Sequence, residues 1–338
     1  MSEACYTKKD FCSDQEVKWC PGCGDYVILA SLQQAMAQSG KKKEDVVCVS
    51  GIGCSSRLPY YMDTYGLHTI HGRAPAIASG VKLSNPNLSV WIITGDGDGL
   101  SIGGNHFIHT MRRNINLKVL MFNNQIYGLT KGQYSPTSEM GKVTKSTPYG
   151  SLDRVFRPGQ LALGAGATFL AKALDNDPKG MTEVMIAADN HEGSSFIEVY
   201  QNCVIFNDKA HDTFANRTSR ADMTLMLEHG KPMIFGKDKN KGIILKGLNL
   251  EVVELGDQYK EADLLVHDKH NENLAYMLVQ KSDPPNFPMV LGVLYEEKQG
   301  GSATYEHMME EQLKTVKAKK GNGNFKELLY SGDTWTVK

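Results

Sequence analysis

The chain has 338 residues, of which 41% are hydrophobic and 22% charged, and its formal net charge is −1. This composition is typical of a globular protein with one large or two modest domains, and it gives no reason to expect nucleic acid or an anionic membrane surface as a partner. The first ten residues are polar and no apolar run approaches the ~20 residues of a membrane span, so we expect no secretory signal, no membrane association and a cytoplasmic location.

The N-terminal part holds the first candidate ligands. Residues 1–25 are predicted to form an arm that ends in the motif WCPGCG at 19–24. The Pro and Gly between Cys20 and Cys23 predict a tight turn that directs two thiols at one point. Seven cysteines, an odd number, argue against a disulfide framework in a reducing compartment. Buried thiols, metal binding and redox catalysis are the roles that remain.

From residue 26 onward, helical and strand patterns alternate. Periodicity predicts helices from 26 and at about 75–82, 103–113, 160–166 and 181–188. Apolar runs predict strands at 46–50, 90–94, 117–122, 167–171 and 195–200. Such alternation is typical of an α/β fold, in which a mostly parallel sheet carries helices on both faces. We therefore predict one α/β domain over residues 26–205.

Beyond residue 205 the pattern weakens. Helices are predicted at 222–229, 271–279 and 305–319, followed by a tail from 321. Because no second strand–helix alternation is visible there, we predict that residues 206–338 form a C-terminal extension. We expect this extension to pack on the α/β domain and on a partner subunit.

Four candidate ligand residues each follow a predicted strand. They are Cys54, Asp96, Asn124 and Cys203. Open α/β sheets bind ligands at the carboxyl ends of their strands. We therefore expect all four side chains along one edge of the sheet.

The run GDGDG at 95–99 and the run NNQ at 123–125 predict a cradle for a metal-bound diphosphate. Asp96 can bind a hard divalent cation, Asn124 can add an amide oxygen 28 residues later, and the carbonyl of Ile126 can supply a third ligand. Oxygen ligands of this kind suit Mg²⁺. The glycines allow a phosphate to approach the backbone, and the amides of the following helix can bind it.

Two other interpretations of this region compete with the cradle. A simple Asp-Gly turn would carry no ligand. A twelve-residue calcium loop beginning at Asp96 would need Glu at its last position, where the chain has Phe107, and this excludes an EF-hand. The Gly-Asp-Gly and Asn-Asn spacing resembles the thiamine diphosphate motif, and this resemblance implies that Asp96 and Asn124 hold Mg²⁺ on the cofactor diphosphate. Thiamine enzymes also need an activating glutamate from a second domain, so we expect an obligatory partner chain.

Four of the cysteines form a candidate metal or cluster site. Four thiolates from Cys20, Cys23, Cys54 and Cys203 would suit zinc or an iron–sulfur cluster, and both remain open on the residues alone. A thioredoxin-like redox pair is disfavoured because no strand precedes Cys20.

The other three cysteines have simpler interpretations. Cys48 lies among valines in a predicted strand and is expected in the core. Cys5 and Cys12 lie in the N-terminal arm and are predicted to be free thiols, with Cys12 as an alternative ligand.

A set of motifs between residues 17 and 205 resembles the β subunit of 2-oxoacid:ferredoxin oxidoreductases, in the 2-oxoglutarate type. The motifs, in order, are WCPGCG at 19–24, GIGCS at 51–55, HGRA at 71–74, GDGD at 95–98, NH at 105–106, RRN at 112–114, GLTKGQ at 128–133 and SPTS at 135–138. The resemblance implies thiamine diphosphate, Mg²⁺ and one [4Fe–4S] cluster on Cys20, Cys23, Cys54 and Cys203. It also implies an α subunit that supplies the glutamate and part of the coenzyme A site, an α2β2 assembly, and ferredoxin as the electron acceptor.

The same resemblance predicts the residues that contact the cofactor. They are Ile52, Gly53, Cys54, Ser55, His71, Gly95, Asp96, Gly97, Asp98, Asn124, Leu129 and Thr130. Arg57 is predicted to bind a second substrate carboxylate, such as that of 2-oxoglutarate, because arginine binds carboxylates bidentately. A surface arginine without such a role is the competing interpretation.

The predicted reaction is the oxidative decarboxylation of 2-oxoglutarate with coenzyme A to succinyl-CoA, CO₂ and reduced ferredoxin, or the reverse carboxylation. Three alternatives remain at this stage: a subunit acting on pyruvate or on many 2-oxoacids, a non-redox thiamine decarboxylase or carboligase with structural zinc, and a non-catalytic electron-transfer or scaffold subunit.

Overall fold

A central eight-stranded sheet organises the chain, whose computed structural model describes residues 6–337. The strands, in chain order, are β1 (Val46–Ser50), β2 (Tyr65–His68), β3 (Ser89–Gly95), β4 (Lys118–Asn123), β5 (Phe169–Leu174), β6 (Ser195–Tyr200), β7 (Thr224–Met226), β8 (Ile234–Phe235), β9 (Lys241–Lys246), β10 (Asn249–Glu254) and β11 (Met289–Glu296). The central sheet has the order β2-β1-β3-β4-β6-β5-β11-β7, and its first six strands are parallel. Strand β11 runs antiparallel to β5, and β8 to β10 form a separate antiparallel sheet.

Helices cover both faces of the central sheet. They are α1 (Asp25–Ser39), α2 (Ala74–Ser84), α3 (Asp96–Leu100), α4 (Gly104–Arg112), α5 (Pro158–Gly164), α6 (Pro178–Asn190), α7 (Asp212–Ala215), α8 (Arg220–Met223), α9 (Glu272–Lys281), α10 (Tyr305–Lys320) and α11 (Phe325–Leu329). Helices α1 and α6 contribute to the apolar cluster on one face, and α2, α4, α5 and α9 to the cluster on the other. Short 3₁₀ turns occupy Lys8–Phe11, Lys43–Asp45, Ser55–Tyr61 and Glu261–Asp263.

The buried strands explain the continuous apolar runs of the sequence. Successive side chains of a strand point to opposite faces of the sheet, and here both faces are covered. In β3, Ile92 packs in the same cluster as Phe107 of α4, while the preceding residue, Trp91, packs in the cluster of Leu32 of α1. The predicted α/β class with helices on both faces is therefore confirmed.

Most predicted elements occur within a few residues of their expected positions, but the helix predicted at 222–229 is wrong. Helix α8 ends at Met223, and Thr224–Met226 forms strand β7, which pairs in parallel with β11. The physical reason is tertiary: Leu225 is fully buried in the core beneath this strand pair, and such packing overrides the local helical propensity of Met, Leu and Glu. The predicted tail also contains a short helix, α11.

The segment after residue 205 contributes two strands, β7 and β11, to the central sheet. Helix α9 from the same segment adds Leu274 and Leu278 to the apolar cluster that it shares with α5. Within the described residues, none of the helices combines the length and the apolar composition that a bilayer crossing requires.

Candidate functional site

Four neighbouring strands end at one edge of the sheet. Strands β1, β3, β4 and β6 lie side by side and run parallel. Cys54, Asp96, Asn124 and Cys203 therefore all follow strand ends at the same edge, as the sequence predicted. Two cavities lie there, which we call the aspartate cavity and the cysteine cavity.

The aspartate cavity is lined by every residue predicted to contact thiamine diphosphate or Mg²⁺. Its lining includes Ile52, Gly53, Cys54, Ser55, His71, Gly95, Asp96, Gly97, Asp98, Asn124, Ile126, Leu129 and Thr130. Four further lining residues were not predicted: Asp25, Phe122, Tyr127 and Gly128. Tyr127 seals one side, since its hydroxyl donates to the Gly97 carbonyl at 3.0 Å and its ring lies 2.3 Å from where a Cβ on Gly97 would be. Gly97 is therefore a position where a side chain does not fit.

Asp96 is buried at the start of α3, and one of its two carboxylate oxygens is occupied. The hydroxyls of Ser135 and Thr137 both approach Oδ2 at 2.5 Å. Within residues 6–337 no side chain donates to Oδ1, and the backbone N–H groups of Gly97 and of Asp96 itself also stabilise the carboxylate. Burial raises the pKa of Asp96 to about 6, against the opposing effect of the two hydroxyls. A divalent cation would keep the carboxylate ionised.

A buried network of polar side chains connects Asp96, through Thr137, to the neighbouring strands. Thr137 Oγ1 lies 2.9 Å from Asn123 Oδ1, and Asn123 Nδ2 donates to Glu198 Oε1 at 2.7 Å. Lys172 Nζ lies 3.5 Å from Glu198 Oε2 and donates to the Tyr200 hydroxyl at 3.0 Å. This network of polar contacts connects the 135–138 loop to strands β4, β6 and β5. It thereby fixes the position of the Asp96 carboxylate.

Replacing Lys172 by methionine is expected to lower the free energy of unfolding by about 3–5 kcal/mol, because Glu198 then becomes a buried charge without its cation. Urea denaturation followed by circular dichroism measures this loss. The double variant Lys172→Met/Glu198→Gln retains the oxygen that accepts from Asn123 and removes the charge, so we expect it to recover most of the stability. Equal stability of the single and double variants would show that the ion pair has no such role.

The side chain of Asn124 is held in one orientation. Its Nδ2 donates to Gln201 Oε1 at 2.8 Å, and its Oδ1 accepts from the backbone N–H of Ile126 at 3.2 Å. Gln201 Nε2 in turn lies 3.4 Å from Cys23 Sγ. Gln201 therefore connects the predicted metal ligand of one cavity with a cysteine of the other, a connection that the sequence did not indicate.

Asp98 holds together the loops around the aspartate cavity. Its Oδ1 accepts from the backbone N–H groups of Ile52 at 3.1 Å and Gly72 at 2.8 Å, and its Oδ2 accepts from the Thr94 hydroxyl at 2.9 Å. The His71 ring nitrogen Nδ1 lies 3.7 Å from Asp98 Oδ1. These bonds account for a structural role of Asp98, and its contact with a cofactor stays a prediction.

Asp25 is a buried carboxylate in the wall between the two cavities. It is 1% exposed, lines both cavities, and has no hydrogen-bond partner for either oxygen within the described chain. Burial raises the pKa of Asp25 to about 7, against a smaller opposing effect of the neighbouring Cys23 thiol. A buried acceptor of this kind requires a donor, which a bound group in the aspartate cavity could provide.

The cysteine cavity, of about 280 Å³, is lined by all four predicted cluster ligands: Cys20, Cys23, Cys54 and Cys203. A Cβ on Gly128 would lie 3.5 Å from Cys203 Sγ and 3.7 Å from Cys54 Sγ, so Gly128 packs directly against these two sulfurs. Burial raises the pKa of Cys54 to about 12 and also raises that of Cys23. Metal binding would have to deprotonate both thiols.

A zinc ion and an iron–sulfur cluster differ in how they are held by four thiols. Among residues 6–337, no group of three or more His, Cys, Asp or Glu side chains is arranged to hold a single metal ion. A structural zinc needs four ligands converging at ~2.3 Å from one ion, whereas an iron–sulfur cluster is a larger body held by cysteines around its periphery. The identity of the group that these four thiols would hold therefore stays a prediction.

The remaining cysteines lie away from this cavity. Cys48 is fully buried in the core, as predicted, and Cys12 is an exposed free thiol. Cys5 lies outside the described residues. Arg57 lines the cysteine cavity, and its Nε donates to the Tyr61 hydroxyl at 3.2 Å. The predicted contact between Arg57 and substrate stays a prediction.

Comparison with known proteins decides the family. Residues 45–199 match the family model described as thiamine pyrophosphate enzyme, C-terminal TPP binding domain. The chain is 49% identical to the 2-oxoglutarate oxidoreductase subunit KorB of Mycobacterium tuberculosis over 333 residues, which cover 97% of this chain and 88% of that protein. The chain belongs to the 2-oxoglutarate oxidoreductase KorB family.

Further KorB relatives and a solved structure agree with this assignment. The 2-oxoglutarate synthase subunit KorB of Archaeoglobus fulgidus is 44% identical over 55% of this chain and 69% of its own length. A solved structure titled 2-oxoglutarate:ferredoxin oxidoreductase from Magnetococcus marinus with 2-oxoglutarate, coenzyme A and succinyl-CoA bound superposes with a TM-score of 0.76 at 31% identity, over 98% of this chain and 97% of that one. The predicted family and the thiamine diphosphate-binding fold are thus confirmed.

Proposed function

We propose that this KorB-family chain is the β subunit of an enzyme that converts 2-oxoglutarate, coenzyme A and oxidised ferredoxin into succinyl-CoA, CO₂ and reduced ferredoxin, with the reverse carboxylation driven by a strong reductant. The observation that carries the proposal is the shared wall of the two cavities. Asp25, Cys54, Asn124, Gly128 and Leu129 line both. A site for carbon chemistry therefore adjoins a site for an electron acceptor.

In the aspartate cavity, Asp96 Oδ1, Asn124 and the carbonyl of Ile126 would hold Mg²⁺ on the diphosphate of thiamine diphosphate. When bound, the cofactor supplies the carbanion chemistry, and the protein supplies orientation and electrostatics. Ser135 and Thr137 keep the Asp96 carboxylate turned toward the cavity. Gly95 would let a phosphate approach the backbone at the start of α3, whereas the space beside Gly97 holds the Tyr127 ring.

In the cysteine cavity, Cys20, Cys23, Cys54 and Cys203 would hold one [4Fe–4S] cluster. Gly128 leaves the space beside two of these sulfurs free of a side chain. When bound, the cluster would supply a one-electron acceptor next to the carbon site, as an oxidation that passes two electrons singly to ferredoxin requires. A decarboxylase that uses no electron acceptor would have no use for a cluster beside the carbon site.

A partner subunit completes the proposed site. Within the described residues, the acidic side chains of the aspartate cavity are Asp25, Asp96 and Asp98, and none is a glutamate. We therefore assign the glutamate that activates thiamine, together with part of the coenzyme A site, to an α subunit in an α2β2 complex. The C-terminal extension from 206 would contribute to this contact, and Arg57 would select a substrate with a second carboxylate.

Anaerobic purification of the complex followed by metal, sulfide and thiamine analysis tests the proposal. We expect about four iron and about four sulfide per chain, as one [4Fe–4S] cluster requires. We also expect thiamine diphosphate and Mg²⁺ in amounts equal to each other. Zinc in place of iron would contradict the redox function and favour a non-redox decarboxylase. Absence of thiamine would leave only an electron-transfer or scaffold subunit.

A further inference from the structure

Gln201 is a buried amide at the edge of the sheet where the two cavities meet. It directly follows strand β6, and its backbone N–H donates to the Asn123 carbonyl at 2.9 Å, which continues the pairing with β4. The residue is 1% exposed and lines the cysteine cavity. Gln201 belongs to none of the motifs that predicted the cofactor and cluster ligands. Its burial at this edge therefore needs an explanation of its own.

The orientation of the Gln201 amide is fixed from both ends. Asn124 Oδ1 accepts from the backbone N–H of Ile126 at 3.2 Å, so Asn124 Nδ2 is the end that faces Gln201. Nδ2 can only donate, and it donates to Gln201 Oε1 at 2.8 Å. On the other side, Gln201 Nε2 donates to the Asn202 carbonyl at 2.5 Å, and this oxygen can only accept. An inverted amide would place donor against donor and acceptor against acceptor, so Gln201 holds one orientation.

This orientation directs the second N–H of the Gln201 amide at the sulfur of Cys23. Nε2 lies 3.4 Å from Cys23 Sγ, and within the described residues no other side chain donates to a sulfur of the four cysteines that line the cavity. Burial raises the pKa of Cys23, the Asp25 carboxylate adds to this effect, and the backbone N–H of Asp25 opposes it. Negative charge on the Cys23 sulfur therefore meets few donors, and Gln201 supplies one of them.

A donor on a ligand sulfur acts on the electron affinity of an iron–sulfur cluster. Hydrogen bonds to the sulfurs are among the features that set the reduction potential of such a cluster. Reduction adds negative charge to the cluster and its thiolates, and hydrogen bonds strengthen as the acceptor becomes more negative. An N–H group aimed at a ligand sulfur therefore stabilises the reduced form more than the oxidised form. The result is a higher reduction potential.

We propose that Gln201 positions ligands of both sites: its N–H on the Cys23 sulfur raises the reduction potential of the cluster, and its Oε1 holds the Asn124 side chain toward Mg²⁺. The inference rests on the proposed function, because it takes Cys23 as a cluster ligand and Asn124 as a ligand of Mg²⁺. A higher potential favours the passage of single electrons from the 2-oxoacid carbon to the cluster and on to ferredoxin. Gln201 acts through two ligand residues and is thus a positioning residue, not a catalytic one.

Two substitutions of Gln201 separate its two contacts. Gln201→Met has a similar length and no charge, and it removes both the donor to Cys23 and the acceptor for Asn124. We expect it to lower the equilibrium constant for one-electron reduction of the cluster by about tenfold, which is about 59 mV. We also expect it to weaken Mg²⁺-dependent binding of thiamine diphosphate by about tenfold, as the loss of a group that orients a metal ligand usually does.

Gln201→Glu keeps an oxygen for Asn124 Nδ2, removes the N–H on the Cys23 sulfur and adds negative charge. We therefore expect it to lower the reduction potential more than Gln201→Met does and to bind thiamine diphosphate normally. A residue with only a structural role would change the stability of the fold and leave the potential as it is. The opposite ranking of the two variants in the two measurements is the signature of a residue that serves both sites.

The measurements use the complex purified anaerobically. Potentiometric titration followed by electron paramagnetic resonance gives the potential of the cluster, whose signal is identified as the one that Cys203→Ala lacks. Isothermal titration of the thiamine-depleted complex with thiamine diphosphate and Mg²⁺ gives the cofactor affinity. Iron and sulfide contents confirm that each variant carries its cluster.

Asn202→Asp is the matched control. It places the same charge one residue further along the chain and keeps the oxygen that accepts from the backbone N–H of Lys209 at 2.8 Å. Asn202 lines neither cavity, and its side chain reaches the exposed Asp208 instead of a sulfur. Because solvent screens this charge, we expect the equilibrium constant for reduction and the cofactor affinity to change by less than about twofold.

The outcomes that contradict the inference differ from those that contradict the proposed function. A wild-type complex without iron would overturn the proposed function, and this inference with it. A wild-type cluster whose potential is unchanged in both Gln201 variants would overturn the inference alone. So would a shift in Asn202→Asp as large as that in Gln201→Glu, or normal thiamine diphosphate binding by Gln201→Met. Loss of the cluster from both Gln201 variants would show that the residue holds the cluster in place and does not tune it.

Discussion

Replacing Asp96 by alanine is expected to weaken Mg²⁺-dependent binding of thiamine diphosphate by at least about 100-fold, more than the usual cost of losing a residue that only supports a metal ligand. Asp96 is one of three buried carboxylates of the aspartate cavity, and no side chain donates to its Oδ1 within residues 6–337. Alanine removes the anionic ligand from a site that must neutralise both a cation and a diphosphate. Isothermal titration with thiamine diphosphate in the presence of Mg²⁺ measures the loss.

Two further variants make this test specific. Thr137→Val keeps the shape of the side chain and removes one of the hydroxyls on Asp96 Oδ2, so we expect an intermediate loss of about tenfold. Asp153→Ala removes an exposed carboxylate of the same long loop, which accepts from the Tyr134 hydroxyl, and is expected to bind the cofactor normally. If Asp96→Ala bound thiamine diphosphate as tightly as Asp153→Ala, Asp96 would not be the metal ligand.

The sequence predicted the parts of this site that depend on strand ends. Each buried strand is a short apolar run followed by a polar turn, and this local signal places Cys54, Asp96 and Asn124 at one edge once the sheet is parallel. The predicted lining residues fell into one cavity because they follow the ends of β1, β2, β3 and β4, which are neighbours in the sheet.

The parts that were missed depend on contacts across long stretches of chain. Asp25 lies in the first turn of α1, where an acidic residue ordinarily complements the helix dipole, so its position in the wall between the cavities left no local signal. Thr137 lies in a loop without periodicity, and its contacts with Asp96 and Asn123 arise when the loop folds back over the strand ends.

The C-terminal part was harder to predict for a similar reason. Strand β11 pairs with β5 across more than a hundred residues of sequence, and among the described strands β7 pairs with β11 alone. A run of three residues such as Thr224–Met226 has no strand periodicity of its own to detect. Its conformation is decided by the burial of Leu225, which depends on an element that comes 60 residues later.

Replacing Cys203 by alanine is expected to remove most of the iron and sulfide from the anaerobically purified protein and to leave thiamine diphosphate binding intact. Cys203 lines the cysteine cavity but not the aspartate cavity, so its loss opens the cluster site without changing the cofactor site. Iron and sulfide should fall from about four to below about one per chain, because three cysteines hold an oxygen-sensitive cluster poorly. Colorimetric iron and sulfide assays and the visible absorption of the cluster measure the change.

Three other cysteines turn this result into a test of the whole arrangement. Cys48→Ala alters a buried core thiol and is expected to keep its iron, and Cys12→Ala is expected to do so because Cys12 is exposed and outside the cavity. Cys54 lines both cavities, so Cys54→Ala is expected to lose iron and also to weaken thiamine diphosphate binding. If Cys12→Ala lost its iron and Cys203→Ala kept it, the fourth ligand would be Cys12 of the N-terminal arm and not Cys203. Unchanged thiamine binding in Cys54→Ala would show that the shared wall does not join the two sites.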